Sequence, residues 1–404
     1  MTLKEELEIL RGEPIQVYEG NPMDIPCIET SDPEKLCKHP VVSVHMITYN
    51  HEHYIRQAIE GVMMQKTDFE FELVIGEDCS QDKTREICFE YQEKYPDKIR
   101  VLWWHENVSK FGGNGRRNRA HWRGEFIAFC EGDDYWIDPL KLQKQVDVLR
   151  KHSGVGLVFT NGFLYDQSTG CQREWDWEGI APFGFAEGEK FLFLNVYSRS
   201  PFQGLRRESF LCTASVMIRR VALFAAREKH KILSWKLRLG DVQTWLSLAS
   251  VSDVYGLSDK TMVYRIHGGG ACARLGGFLW RDNLLVRIYF NKTVFELECS
   301  DLSPAFTSEW INVNCSLLRQ KSYLNRVGGV FRLFTNKVYR PSVFGHAVSR
   351  KLVCLYARYC SCKVTCARWR SLDMNAMYNI GRTLMPEISK RLWRRVMRRG
   401  EFVS

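Results

Sequence analysis

Residues 126–139 have the sequence FIAFCEGDDYWIDP, in which an apolar run of five residues stops abruptly at acidic ones. Three carboxylates, those of Glu131, Asp133 and Asp134, follow within four positions. A short apolar run of this kind predicts a strand that is buried on both faces. In open α/β sheets, ligands bind outside the carboxyl ends of the strands. Because clustered carboxylates repel one another unless a cation neutralises them, we expect Mg²⁺ or Mn²⁺ and a substrate phosphate at this edge.

The same stretch also has a purely structural interpretation. Asp138 and Pro139 precede KLQKQVDVLR, and an Asp followed by a Pro is a good start for a helix. This interpretation explains Asp138 and Pro139 but does not explain the three upstream acids. The sequence therefore favours a metal–phosphate site over a structural turn.

The composition is that of a globular protein whose charge is unevenly distributed. The chain has 404 residues, of which 45% are hydrophobic and 26% are charged, with a net charge of +10. Residues 319–404 contain 19 Lys and Arg against 3 Asp and Glu, so the whole excess of positive charge lies in the tail. Such asymmetry indicates contact with an anionic membrane or another polyanion. No recognition motif accompanies the charge, and we expect no nucleic-acid partner.

Cysteine usage and hydropathy predict the compartment. The 14 cysteines include no CxxC pair and show no zinc-ligand spacing. The first residues, MTLKEELEILRGE, are polar and unlike a signal peptide, and no apolar stretch approaches the ~20 residues of a membrane-spanning helix. We expect a cytoplasmic protein with reduced thiols.

Strand-like and helix-like segments alternate from Val41 onward. This alternation predicts βαβ units and a mainly parallel sheet flanked by helices. The polar ends TYN, GEDCS and EGDD should then gather along one rim of the sheet. The predicted strands are 41–50, 71–78, 98–104 and 126–134, and the predicted helices are 53–65, 84–95 and 140–151.

The remainder of the chain is assigned by the same patterns. We predict a strand at 154–166 that folds back at a sheet edge, a strand at 209–220, a helix at 240–251 and a strand at 259–271 that runs into a glycine loop. Three regions result: an N-terminal extension (1–40), an α/β domain (41–275) and a helical, basic C-terminal module (276–404).

Polar residues after the first two strands are candidates for binding a nucleotide. Asp78 follows a strand, and its carboxylate could accept a hydrogen bond from a nucleobase or a ribose hydroxyl. Thr48 and Tyr49 could form a wall for the base. The structural alternative is a turn that caps the next helix, and Asp82 fits that role better than Asp78.

A glycine-rich stretch, KFGGNGRRN (110–118), is predicted to be a mobile loop. It lacks the lysine of a P-loop and the spacing of a dinucleotide fingerprint. Arg117 and its neighbours Arg116 and Arg119 could place a cation beside a diphosphate. A solvated basic loop explains any one of these arginines equally well.

Two further residues are candidates for chemistry. Asp241 precedes an apolar helix, where it could compensate the helix dipole or act as a general base. His267 stands at a strand end before three glycines, where it could bind a metal or a phosphate. His51 and His53 have no visible partner in the sequence, and we assign them no metal role.

Taken in order, VSVHMITYN, VIGEDCSQDKT, GEFIAFCEGDD, GDVQTW and YRIHGGG resemble the motifs of the family 2 glycosyltransferases, which have the Rossmann-like GT-A fold. The resemblance covers residues 41 to about 275, and it is specific because five motifs occur in the family's order. It implies transfer of a sugar from a nucleotide diphosphate donor with inversion at the anomeric carbon.

The resemblance also implies roles for the acidic motif. Asp133 would coordinate the divalent ion that bridges the donor's diphosphate. Glu131 would help to hold the ribose or the metal, and Asp134 would face the donor sugar. The motif departs from the family pattern in having Glu at its first acidic position.

Roles for the remaining candidates follow from the same resemblance. Asp78 would contact the base, usually uracil, in a pocket lined by Thr48 and Tyr49. Asp241 falls at the position of the catalytic base, and His267 near a metal or diphosphate contact. Gly240-Asp241 stands where the family commonly has Glu-Asp. Asp241 therefore matches the family pattern less closely than Asp133 does.

The tail ends in EISKRLWRRVMRRG (387–400), which has an apolar face surrounded by arginines. This pattern fits either a basic helix adsorbed at the inner face of the membrane or an ordinary amphipathic helix packed on the domain. Adsorption would bring the site close to lipid-linked acceptors.

The expected function is therefore glycosyl transfer, from a UDP-sugar by family analogy, to a hydroxyl of a glycan or lipid-linked acceptor in polysaccharide or lipopolysaccharide assembly. Two alternatives remain. One is a metal-dependent nucleotidyltransferase, which would need a lysine-bearing glycine-rich signature that is missing. The other is an inactive adaptor of the same fold that binds anionic surfaces through its tail.

Overall fold

The computed structural model describes residues 2–11, 13–21, 24, 27–108, 113–175, 183–196, 211–238, 240–270 and 277–296. The chain divides into two compact units. One comprises residues 15–296, and the other comprises residues 1–14 and 297–404. In the second unit a single helix, α1 (Leu3–Arg11), lies within the described residues.

The larger unit is built on one mixed sheet of eleven strands. The strands are β1 (Ile28–Thr30), β2 (Val42–Thr48), β3 (Phe71–Glu77), β4 (Ile99–Trp103), β5 (Phe126–Phe129), β6 (Tyr135–Trp136), β7 (Val155–Asp166), β8 (Cys171–Glu174), β9 (Gly184–Ala186), β10 (Met217–Arg219) and β11 (Asp253–Ile266).

The strand order is β1-β4-β3-β2-β5-β10-β7-β11-β6, with β8 paired to β7 and β9 paired to β11. Strands β4, β3, β2 and β5 run parallel to one another, as do β7 and β11. The other pairs are antiparallel. The α/β class and the parallel central sheet predicted from the sequence are thus confirmed.

The larger unit also contains eight helices within the described residues. They are α2 (Ile55–Met63), α3 (Thr84–Lys94), α4 (Gly113–Ala120), α5 (Lys141–Lys151), α6 (Gly188–Val196), α7 (Arg220–Lys229), α8 (Gly240–Ala249) and α9 (Gly277–Thr293). The central strands are buried on both faces, as their continuous apolar sequences predict. Their carboxyl ends meet at one edge, where the acidic motif lies.

The predicted glycine-rich loop is a helix over its second half, which corrects the expectation of a loop. Two asparagines of α4 hold it on the sheet. Asn114 donates to the carbonyl of Gly76 at 3.0 Å, and Asn118 donates to those of Met46 and Val74 at 3.1 and 2.8 Å. These tertiary bonds override the low helix propensity of GNGRRNRA. Residues 109–112 lie outside the described residues.

Two strand predictions also need correction. Strand β7 is not at an edge, because it pairs with β10 on one side and with β11 on the other. The strand predicted at 209–220 is reduced to β10, which follows a short 3₁₀ turn at Thr213–Ser215. β10 lies between β5 and β7 in the sheet and pairs antiparallel with both.

The compact unit is wider at both ends than the domain expected at 41–275. Strand β1 pairs with β4, so part of the expected N-terminal extension belongs to the sheet. At the other end, the buried carboxylate of Asp282 on α9 accepts a hydrogen bond from the backbone N–H of Arg238 at 3.0 Å. The predicted basic tail lies outside the described residues.

Among the described residues, no helix has both the length and the apolar character that crossing a bilayer requires.

Candidate functional site

The acidic motif forms a turn between β5 and β6 that is fastened to the end of β2. The N–H of Gly132 donates to the carbonyl of Ile47 at 3.0 Å. A side chain at position 132 would approach Oγ1 of Thr48 to 2.6 Å, so the turn needs glycine there. The carboxylates of Glu131, Asp133 and Asp134 consequently offer oxygen atoms that lie within 4.8 Å of one another.

Asp134 is the deepest of the three acids. Its side chain is 1% exposed, and Oδ1 accepts a hydrogen bond from the backbone N–H of Arg265 at 2.9 Å. Oδ2 is buried and has no hydrogen-bond partner. Burial, followed by the charges of Asp133 and Glu131, raises the pKa of Asp134 well above its usual value.

Asp133 has a different environment, because two histidines approach one of its oxygens. Nε2 of His267 lies 3.0 Å from Oδ2 of Asp133, and Nε2 of His51 lies 3.8 Å from the same oxygen. Burial works against ionisation of this carboxyl, but the two histidines outweigh it and lower the pKa of Asp133. Asp133 is therefore the charged member of the cluster.

Glu131 is the third member of the cluster. Burial raises its pKa to about 8, with smaller contributions from the negative charges of Asp133 and Asp241. Two acids with raised pKa values and one buried oxygen without a hydrogen-bond partner show that the negative charge of the cluster is only partly neutralised. The three carboxylates thus fit a hard divalent cation, for which oxygen ligands are preferred.

Arg265, on β11, is hydrogen-bonded to the acidic turn. Its Nε donates to the carbonyl of Asp133 at 2.9 Å, and its guanidinium lies between the rings of Tyr54 and Tyr135, 4.9 and 5.0 Å from their centroids. A second hydrogen bond, to Gln57 at 2.7 Å, ties the arginine to α2. Sequence reasoning missed Arg265, and its position two residues before His267 was the only signal.

His51 was wrongly left without a partner. Its Nδ1 lies 3.2 Å from Oγ1 of Thr48 and its Nε2 faces Asp133, so the ring bridges the end of β2 and the acidic turn. His53 has an 81% exposed side chain and lies beside Glu52 instead. The signal available in the sequence was that HEH directly follows a predicted rim strand.

Asp241 lies in the first turn of α8. Its Oδ1 accepts the N–H of Val242 at 2.8 Å, and its Oδ2 lies 3.4 Å from Oγ1 of Thr213. Burial raises the pKa of Asp241. The negative charge of Asp241 is also among the causes of the raised pKa of Glu131. The predicted role of Asp241 as a base stays a prediction.

The residues predicted to bind the base lie at the same edge. Thr48 is 2% exposed and Tyr49 is half-buried. Asp78 is fully buried, and its Oδ1 accepts the N–H of Val108 at 2.8 Å. This bond fixes the loop after β4. The predicted contact of Asp78 with a nucleobase stays a prediction.

Arg117 lies on α4, 7% exposed, where its Nε donates to Sγ of Cys27 at 3.0 Å. This guanidinium thus joins α4 to the residue that directly precedes β1. Its predicted contact with a diphosphate stays a prediction.

The chain is similar in sequence and in fold to known proteins. The model of the family "Glycosyl transferase family 2" matches residues 43–214. The chain is 36% identical over 272 residues to a putative teichuronic acid biosynthesis glycosyltransferase of Bacillus subtilis (strain 168), covering 63% of this chain and 92% of that protein.

A second relative and a solved structure are also similar. An uncharacterised protein of Mycobacterium tuberculosis (strain ATCC 25618 / H37Rv) is 42% identical over 118 residues, which cover 29% of this chain and 34% of that protein. The chain thus spans about a third of this relative's length. The crystal structure of S. aureus TarS 1-349 in complex with UDP-GlcNAc has a TM-score of 0.50 and 15% identity, covering 79% of this chain and 88% of that one. This likeness shows a shared fold.

Proposed function

Because the chain belongs to the family 2 glycosyltransferases, we propose that it transfers a sugar from a nucleotide diphosphate-sugar to a hydroxyl group, with inversion at the anomeric carbon. The observation that carries this proposal is the acidic cluster. Three carboxylates lie within 4.8 Å of one another, and one of them has a buried oxygen without a hydrogen-bond partner. A separate, half-buried acid, Asp241, lies in the first turn of a helix.

A divalent cation, Mg²⁺ or Mn²⁺, would be held by Asp133, with Glu131, Asp134 and His267 as neighbours. When bound, such a cation supplies Lewis-acid stabilisation of the charge on a departing diphosphate, worth several kcal/mol. The chain's own part is to orient the ligands. His267 and His51 fix Asp133, while Arg265 fixes the turn through backbone and side-chain bonds.

Asp241 is proposed as the general base. Its Oδ1 accepts a backbone N–H at 2.8 Å, whereas its Oδ2 accepts only the longer 3.4 Å contact from the hydroxyl of Thr213, so Oδ2 is the atom that would take the proton of the acceptor hydroxyl. A carboxyl whose pKa is raised by burial is a better proton acceptor near neutral pH than a solvated one. Direct attack by the hydroxyl then gives inversion and needs no covalent enzyme intermediate.

The donor's nucleotide would occupy the edge formed by Thr48, Tyr49 and Asp78, with uracil as the proposed base. Arg117 is retained as a candidate for contact with the diphosphate. Solvent-accessible Tyr49 offers a ring for stacking. A UDP-sugar is preferred because the family resemblance implies uracil, and because the fold is shared with a protein that binds UDP-GlcNAc.

The acceptor is proposed to be a glycan or a lipid-linked saccharide in polysaccharide assembly. The printed name of the Bacillus subtilis relative, which assigns it to teichuronic acid biosynthesis, supports this class. A cytoplasmic position with peripheral contact at the inner face of the membrane would suit such an acceptor, and the basic tail would supply the contact. Co-sedimentation with anionic liposomes, with and without residues 340–404, tests that contact.

A panel of nucleotide sugars tests the donor. Thermal unfolding of the full chain is measured with each donor in the presence of Mn²⁺ or of EDTA, and release of nucleoside diphosphate is then assayed for each donor that stabilises it. We expect one donor class to stabilise the protein with Mn²⁺ and to be hydrolysed slowly. Stabilisation without turnover, even with acceptor glycans, would favour the inactive adaptor. Release of pyrophosphate from nucleoside triphosphates would favour a nucleotidyltransferase.

A further inference from the structure

A partly exposed thiol contacts two cationic side chains beside β1, the strand at one edge of the sheet. This is Cys27, which directly precedes β1. Nε of Arg117 donates to its Sγ at 3.0 Å, and Nε2 of His121, in the turn after α4, lies 3.8 Å from the same atom. Together with Glu29 on β1, we call these residues the thiol cluster.

An acid orients the histidine of the thiol cluster. Nδ1 of His121 lies 3.4 Å from Oε2 of Glu29. Arg100 on β4 donates to both oxygens of that carboxylate, at 2.8 and 2.9 Å, and to the carbonyl of His121 at 2.8 Å. Thiol, imidazole and carboxylate therefore stand in the order that activates a nucleophile, in which the acid orients the ring and the ring takes the thiol proton.

The charges around the sulfur favour its ionised form. Burial opposes ionisation of Cys27, but the hydrogen bonds from His121 and Arg117 lower the pKa of its thiol nonetheless. Hydrogen bonds to Cys27 and Glu29 raise the pKa of His121. The carboxylate of Glu29 is paired with Arg100, which offsets its negative charge near the thiolate.

The other described cysteines differ from Cys27 in burial or in partners. Cys88, Cys130 and Cys212 are buried. Cys37 is partly exposed and Cys171 is exposed, but within the part of the chain that the structure describes no cationic side chain donates to either sulfur. Cys37 and Cys171 therefore show what exposure alone does to a thiol in this protein.

We propose that Cys27 is an oxidation site, where a hydroperoxide converts the thiolate to a sulfenic acid that a small thiol such as glutathione caps as a mixed disulfide. Accessible cysteines that are stabilised as thiolates are the ones that undergo this sequence of reactions. The inference goes beyond the proposed glycosyl transfer and does not depend on it.

The thiol cluster supplies the groups that the first step needs. Sγ of Cys27 attacks one peroxide oxygen, so that an S–O bond forms, the O–O bond breaks, and the peroxide gains the two electrons that sulfur loses. The departing hydroxide takes the proton of the His121 imidazolium and leaves as water. Arg117 stabilises the thiolate beforehand through its charge-assisted hydrogen bond.

The second step uses the small thiol itself. Its sulfur attacks the sulfenic sulfur of Cys27, an S–S bond forms and the S–O bond breaks. The departing hydroxide takes the proton of the attacking thiol, so water is again the product.

Peptide-level mass spectrometry of the full chain tests the first step. The reduced protein is treated at pH 7 with hydrogen peroxide and dimedone, which traps sulfenic acids, and the labelling of each cysteine is followed in time. We expect Cys27 to be labelled at least about fivefold faster than Cys37 and Cys171, because a lowered pKa increases the thiolate fraction more than it reduces nucleophilicity. Labelling of Cys27 no faster than that of these two thiols would overturn the proposal.

Variants identify the groups that activate the thiol. Arg117→Gln and His121→Gln should each slow the labelling of Cys27 several-fold. Arg116→Gln is the matched control, because Arg116 is the adjacent residue on α4 and donates to the carbonyl of Gly20 instead. Its labelling at Cys27 should equal that of the wild type. Wild-type rates in both other variants would overturn the proposal, and the comparison among wild-type cysteines decides it even where a variant does not fold.

Glutathione added with the peroxide, in place of dimedone, tests the second step. We expect a mixed disulfide at Cys27 that dithiothreitol removes. Conversion of Cys27 to sulfinic acid without a mixed disulfide would contradict the proposed capping.

Discussion

Nε2 of His267 lies 3.0 Å from Oδ2 of Asp133, although 134 positions separate the two residues in the chain. The contact joins the end of β11 to the turn after β5, which places the last sequence motif of the domain against its central acidic motif. His51 approaches the same oxygen from the end of β2. The charged carboxylate of the cluster is thus fixed by imidazoles from two directions.

Removing these imidazoles should weaken metal binding. We expect His267→Asn to bind Mn²⁺ about 10–100-fold more weakly than wild type, which is the usual effect of losing a residue that orients or joins a metal ligand. His51→Asn should have a smaller effect, because its ring is farther from Asp133. Free Mn²⁺ is measured by electron paramagnetic resonance during titration. His53→Asn is the control. If it lost as much affinity for Mn²⁺ as His267→Asn does, this would argue against a specific role of His267 in metal binding.

The base can be separated from the donor site by one substitution. Asp241→Asn should reduce the initial rate of transfer by about 10²–10⁴-fold, since the amide cannot accept the hydroxyl proton. Binding of the donor with Mn²⁺ should be unchanged. Asp147→Asn, at an exposed position on α5, controls for loss of a carboxylate. Wild-type rates in Asp241→Asn would remove this residue from the mechanism.

The raised pKa of Glu131 predicts how stability depends on pH without metal. Its pKa is about 8 in the folded protein against 4.5 as the reference value, so between these pH values the folded state binds more protons than the unfolded state. Stability should accordingly decrease as pH rises from about 5 to about 8. In Glu131→Gln this decrease should be shallower, with a remainder due to Asp134. Thermal unfolding in EDTA measures the slope.

The control for that experiment is Glu125→Gln, because Glu125 has a 61% exposed side chain and pairs with Arg219. Its slope should equal that of the wild type. If Glu131→Gln gave the same slope as Glu125→Gln, the carboxyl of Glu131 would have to titrate normally in the folded protein.

The stability of α4, a helix where the sequence predicted a loop, should depend on its asparagines. Asn118 is fully buried, donates to two strand carbonyls, and its Oδ1 contacts Nδ1 of His45 and accepts from Nε1 of Trp122. We expect Asn118→Ala to lower the free energy of unfolding by about 2–3 kcal/mol, because buried partners lose their hydrogen bonds. Urea denaturation measures the change. Gln172→Ala, at an exposed position of β8, should stay within about 0.5 kcal/mol of wild type.

Thiol reactivity should differ sharply among the cysteines. Burial acts against ionisation of Cys27, but hydrogen bonds from His121 and Arg117 outweigh it and lower the pKa of its thiol. Burial raises the pKa of the thiol of Cys88. Mass spectrometry after iodoacetamide treatment at pH 7 should show Cys27 alkylated well before Cys88, and several-fold more slowly in His121→Ala. An unchanged rate for Cys27 in that variant would exclude the imidazole as the cause.

The sequence predicted the parallel sheet and the acidic edge because both depend on local signals. Apolar runs define β2, β3 and β5, and the acids that follow them necessarily meet at the edge where parallel strands end. The contacts made by Arg265 and His51 were not predictable in this way. Both residues act on the acidic turn across large separations in sequence. The position of Arg265 beside His267 and that of His51 after a rim strand place them near the edge but do not identify Asp133 as their partner.

Other differences have the same origin. The stretch that forms α4 contains residues with weak helix preference, and its conformation is set by bonds to strand carbonyls. Strand β7 lies inside the sheet because β11 returns parallel to it, a pairing that local pattern cannot reveal. Tertiary partners decide these elements.

The central claim is that the acidic cluster binds a divalent cation that holds the donor's diphosphate. Its most direct test is calorimetric titration of the nucleoside diphosphate from the most stabilising donor into wild type and Asp133→Asn, each with Mn²⁺ and with EDTA. We predict binding by wild type with Mn²⁺ and its loss both in EDTA and in Asp133→Asn. Equal affinity under all four conditions would contradict the claim.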